Sequence, residues 1–67
     1  MPDRMKMEKR AIHNEMSYAR HALVEARGQL VEADRVERLD RVVGCLRKAA
    51  EHIERAIAAC AAAKRDA

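Results

Sequence analysis

Apolar residues recur along the first half of the chain in alternating steps of four and three: Ile12, Met16, Ala19, Leu23, Ala26, Leu30 and Ala33. Met5 fits the same register one heptad earlier, with Lys9 filling the gap. A second series of the same spacing runs through Val36, Leu39, Val43, Leu46, Ala50, Ile53, Ile57 and Cys60. Alternating threes and fours keep every member on one stripe of an α-helix, because about 3.6 residues complete a turn. A stripe sustained over several heptads is the pattern of helices packed side by side at shallow angles.

The two series do not join in phase: Ala33 to Val36 is a step of three where four is due. At the slip, Asp34 followed by Glu37 has the form of a capping box, in which a carboxylate accepts from the free amides of a new helix. The spacing therefore predicts an all-α fold. It consists of one helical-hairpin domain over residues 1–67, with helices near 5–33 and 35–64 that run antiparallel and turn near Ala33–Arg35. Pro2 and Asp3 are placed to open the first helix. Two rivals remain. One is a continuous helix with a stammer in its stripe, favoured by the lack of Gly or Pro at the slip. The other is a break at Gly28 acting as a C-terminal cap, which takes Leu30 and Ala33 out of register.

The second helix has the broader apolar side, since Val42, Ala49, Ala56 and Ala63 flank its stripe at seven-residue intervals. Such a stripe is wide enough for a four-helix bundle, where each helix meets two neighbours. Size points the same way. The 67 residues include one Tyr and no Phe or Trp, so apolar area must come from small and aliphatic side chains. A chain this short seldom gains enough from one core without a staple, a metal or a second chain. The expectation is a homodimer of hairpins. Its core and dimer seam would draw on Ile12, Met16, Ala19, Leu23, Ala26 and Leu30 from the first helix. Leu39, Val43, Leu46, Ala50, Ile53, Ile57 and Cys60 would come from the second. Ala19, Ala26 and Ala50 would let backbones approach closely. Gly28 and Gly44, inside the helices, read either as further points of close approach or as residues tolerated at a cost.

Charge changes this picture little. The net charge of +3 is spread among interleaved acids and bases, not gathered into a basic patch. Asp34–Arg38, Glu37–Arg41 and Glu51–Arg55 are spaced to pair along the second helix. Cys45 and Cys60, on one helix, would stand about 22 Å apart at 1.5 Å per residue, too far for a disulfide. Cys60 lies on the stripe and reads as core, whereas Cys45 lies off it and reads as exposed. Two unpaired thiols fit a reducing compartment, so the expected location is the cytoplasm, the chain's own or that of a host cell. No apolar run approaches the roughly 18 residues of a membrane span.

Candidate chemistry is sparse. His13 and His21 are eight residues apart and Cys45 and His52 are seven apart, whereas ligands sharing an ion on one helix need steps of three or four. Arg10, Tyr18 and Ala49 stand where a carboxylate-bundle metal site needs Glu, three residues before each His. The histidines read as solvated surface. Ser17 has no nucleophile-elbow context and no Gly-rich phosphate loop exists. The chain is expected to be no enzyme, with no metal, no cofactor, no small-molecule substrate and no membrane among its partners.

Partner binding is the class that remains. Val24 and Val31 lie beside the first stripe with Arg20 and Arg27 near them; with Tyr18 they form the candidate surface for a larger protein, since Tyr and Arg are frequent interface anchors. The expected function is that of a non-catalytic regulator, inhibitor or adaptor that occludes a larger regulatory protein. The alternative uses Arg10, Asn14, Tyr18 and Arg20 to contact RNA, because Arg10, Arg20 and Arg27 have no acid three or four places away. On those residues the chain resembles the Rop family of plasmid copy-number proteins, RNA-binding dimers of helical hairpins. Asn14 and Tyr18 stand where that family has an Asn and an aromatic on its RNA face, and Asp34 stands at its turn aspartate. Met7, Ala22 and Gln29 depart from the Lys, Gln and Lys of the family. The make-up is also similar in kind to small phage-encoded helical dimers that disable host regulators. A third reading is a purely structural oligomerisation module.

Overall fold

The computed structural model describes the backbone from Pro2 to Asp66 and the side chains from Met5 to Arg65. Helix α1 spans Pro2–Glu32 and helix α2 spans Val36–Asp66, so the phase slip is a turn of three residues. The continuous helix and the break at Gly28 are both ruled out. Proline opens α1 because its missing N–H is one that the first turn leaves unpaired anyway. The ends of α2 suit its dipole, with Glu37 in the first turn and Lys64 and Arg65 in the last.

The turn closes without glycine because it needs none. Among the described residues no backbone angle φ is positive. The Ala33 N–H donates to the Leu30 carbonyl at 3.2 Å and the Arg38 N–H to the Arg35 carbonyl at 3.1 Å. These short-range bonds tighten the last turn of α1 and the first of α2, satisfying groups that helix ends leave open. Helix α2 starts at Val36, so Asp34 stands just outside the capping position. Its carboxylate lies 3.5 Å from Arg38 Nε, one of the pairs the spacing predicts.

The helices run antiparallel: along α1 from Glu15 to Glu25, the partner residues on α2 run backward from His52 to Cys45. The Cα positions span 52 × 15 × 9 Å, which is one layer of two helices. Between them lie the buried Ala19, Ala22 and Ala26 of α1 and Val42 and Ala49 of α2. Ile12, Glu15 and Gln29 extend this inner face of α1, and Cys45, His52, Ala56 and Ala59 extend that of α2, all half-buried. Each inner face also alternates threes and fours, but it is a different stripe from the leucine series.

This corrects the expected core. In α1 the predicted stripe splits: Ile12, Ala19 and Ala26 turn inward, while Met16, Leu23 and Leu30 stay exposed. In α2 the whole predicted series from Val36 to Cys60 is exposed, and the residues expected as flank (Val42, Ala49, Ala56) form the interior. Ala50 is therefore outside and Ala22 inside. The reason is size. Alanine-lined faces let two helices close to the short end of the usual 8–10 Å separation, so small residues gather between the axes and large ones are turned to the side. Among the described residues no large side chain is fully buried.

Candidate protein-docking face

Turning the large residues aside puts them all on the same side. In α1, Met16, Leu23 and Leu30 recur every seven residues beside the inner stripe. In α2, Leu39, Leu46, Ile53 and Cys60 do the same, backed by Val43, Ala50 and Ile57. Two antiparallel helices related by a half-turn present corresponding sides to the same face of the layer. A groove of about 460 Å³ confirms this alignment, lined by Ile12, Met16 and Leu23 from α1 and by Ile53, Ile57 and Cys60 from α2. Ala19 and Ala56 also line it, and Arg20 is its one charged residue.

The face is uncovered. Met16 is 60% exposed, Ile57 56% and Leu46 46%, values usual for surface residues and not for core. Fully burying such a side chain stabilises by about 1.5–3 kcal/mol relative to exposure, so covering the remaining half is worth roughly 1 kcal/mol per residue. An apolar surface this continuous is what marks an interaction site on a small protein.

The other face of the layer is polar. There the Glu15 carboxylate accepts from His52 Nδ1 at 2.6 Å, both side chains being less than a quarter exposed. The Tyr18 ring lies 5.2 Å from the His52 ring, tilted by 43°. The Cys45 thiol donates weakly to Glu25 at 3.7 Å. These contacts clasp α1 to α2 across an alanine seam that offers little area and few directional constraints, at about 1 kcal/mol for a net hydrogen bond. Lys48 and His21 complete a shallow polar concavity beside them. His52 is thus a structural residue, not the solvated one the sequence suggested; His13 and His21 are exposed. The cysteines exchange their expected roles: Cys45 is half-buried at the inner stripe, and Cys60 is exposed on the apolar face. Among the described residues no cluster of three His, Cys, Asp or Glu side chains is placed to hold a metal ion.

The five residues expected to bind a protein do not form one patch. Val24 and Val31 stand on the back of α1, 58% and 86% exposed, with Arg20 and Arg27 between them and the apolar face. Tyr18 lies two residues from Arg20, about 200° around the helix, and so faces the polar side. The RNA set divides in the same way: Arg10, Asn14 and Tyr18 drift toward the polar side while Arg20 borders the apolar groove. Arg20 and Val24, with Ser17 and His21, line a separate, smaller depression on α1.

The inner stripe and the Glu15–His52 clasp are what sequence reasoning missed. A signal existed: Ala19, Ala22 and Ala26, and Val42, Cys45, Ala49, His52, Ala56 and Ala59, keep the same alternation as the leucine series.

No protein family, curated protein or solved structure matches the chain. Among the described residues no helix is long and apolar enough to cross a membrane.

Proposed function

We propose that the chain is a non-catalytic regulator that works through protein–protein contact, as a dimer of hairpins that occludes or bridges a larger protein. The observation that supports this reading is the apolar face of a hairpin only one layer thick. A stable domain needs a second layer over such a face, and a second hairpin supplies one, completing a four-helix bundle. The exposed Val24 and Val31 on the back of α1 then stay free to meet the larger partner. That partner would be a regulatory protein of the same cytoplasm, or of a host if a phage or mobile element carries the chain.

RNA binding of the Rop kind is the less favoured reading, because Tyr18 is engaged with His52 and Arg20 points elsewhere. A purely structural oligomer leaves the Val24–Val31 stripe without a role.

Affinity capture from a lysate, divided into nuclease-treated and untreated halves, tests the proposal. The expected outcome is a protein retained equally in both halves, over a wide range of salt, and lost when Val24→Asp and Val31→Asp are introduced together. Retention abolished by nuclease, or falling steeply with salt as counterion release demands, would replace protein with RNA as the target.

A further inference from the structure

The two rims of the apolar face differ in charge, one basic throughout and the other mixed. Along its α1 edge, one heptad apart, stand His13, Arg20 and Arg27, all exposed and with no acid among them. Along its α2 edge, beyond Val43 and Ile57, stand Asp40 and Glu54 with Arg47 between. From these rims we infer that the face is covered by a second copy of this chain with α1 lying over the partner's α2, not over its α1. The inference rests on the proposed protein-contact function and specifies the partner and its orientation.

Two hairpins stacked face to face about a two-fold axis have two arrangements. With the axis parallel to the helices, each α1 covers the partner's α2 at the same height, antiparallel to it. With the axis across the helices, α1 covers α1 and the arginine rims meet. The first arrangement brings Arg27 to the level of residues near Val43, within about one 5.4 Å turn of the partner chain's acidic rim at position 40. It brings His13 within about a turn of the rim carboxylate at position 54, while Arg20 lies nearest the rim arginine at position 47. Opposite rims steer and hold such a contact, while like charges set against each other disfavour it. Area agrees with a second copy as occupant. The layer measures 52 by 15 Å between Cα atoms, close to the roughly 800 Å² that each partner buries in a standard specific interface.

The arrangement has a consequence for the larger partner. With the two α1 helices diagonal in the bundle, the Val24–Val31 stripes point outward on opposite sides. One dimer then offers two separate, equivalent sites and bridges two partner molecules.

Disulfide trapping tests the topology in chains carrying Cys45→Ala and Cys60→Ala. Met16→Cys and Ile53→Cys are made in separate chains, because these two positions meet only if α1 covers α2. The expected result is a covalent dimer in the oxidised mixture and in neither chain alone. Trapping of Met16→Cys with itself would overturn the inference while leaving the protein-contact function standing. A monomer by sedimentation at tens of micromolar would also overturn it, the function then being decided by the capture experiment. Should the cysteine variants fold poorly, Arg27→Glu alone gives a second measurement, since Arg27 is the rim arginine that meets a carboxylate. Self-association weakens about tenfold at low salt and recovers as salt screens the charges if α1 covers α2. It strengthens if α1 covers α1, since the new carboxylate then faces a basic rim.

Discussion

Gly28 and Gly44 sit mid-helix with ordinary helical backbone, and a β-carbon built on either meets nothing within 4 Å. Neither residue, then, serves a close approach inside the hairpin, and the entropy that glycine loses on folding is uncompensated there. Gly28→Ala and Gly44→Ala should each stabilise the protein, by up to about 1 kcal/mol, read as a rise in the thermal midpoint. A fall at either position would mean that another chain packs against that glycine. The same scale explains His52, whose imidazole is held between the Glu15 carboxylate and the Tyr18 ring. A polar pair inside an alanine seam costs little where both members are bonded, and it discriminates against sliding of one helix along the other.

At the scale of the helices, each bears two adjacent stripes, one of small residues and one of large. The small stripe closes the hairpin. Enlarging it should therefore be worse than trimming the large one, as long as only the single hairpin is considered. Ala22→Leu or Ala49→Leu would force the axes apart and cost about 1–3 kcal/mol by overpacking, measured by denaturant unfolding. A gain in stability would show that α1 and α2 do not pack through alanine. The two helices and their antiparallel turn were legible in the spacing, because the phase slip at Ala33–Val36 is local; the lack of Gly or Pro there argued the other way, for one continuous helix. Which stripe faces inward was not legible. Periodicity reports that a face is apolar without reporting what covers it, and a leucine series at the same spacing as an alanine series gives the louder signal. The pairing of Glu15 with His52 depends on the register between helices, which no spacing within either helix determines.

For the whole molecule, the question is how a chain with no large side chain fully buried among its described residues stays folded. Among the described residues the buried members of the hairpin interior are four alanines and one valine. Alanine contributes little apolar area, and ordering each residue costs on the order of 1–2 kcal/mol of backbone entropy. Long helices held by so thin a seam should be marginal alone, and the exposed leucine and isoleucine rows on one face are the remaining source of burial. If a second hairpin supplies the second layer, folding and association are a single equilibrium and stability depends on protomer concentration. Circular dichroism at 222 nm should then give a thermal midpoint that rises steadily over a hundredfold range of concentration. Leu46→Ala should cost about 2–5 kcal/mol, as for a core leucine, although Leu46 is 46% exposed in the single chain. Leu46→Glu should leave a largely unfolded chain at micromolar concentration, since a charge there forbids the second layer. A midpoint independent of concentration, together with a Leu46→Ala cost within about 0.5 kcal/mol, as at an ordinary surface site, would mean that the alanine seam and its polar clasp suffice.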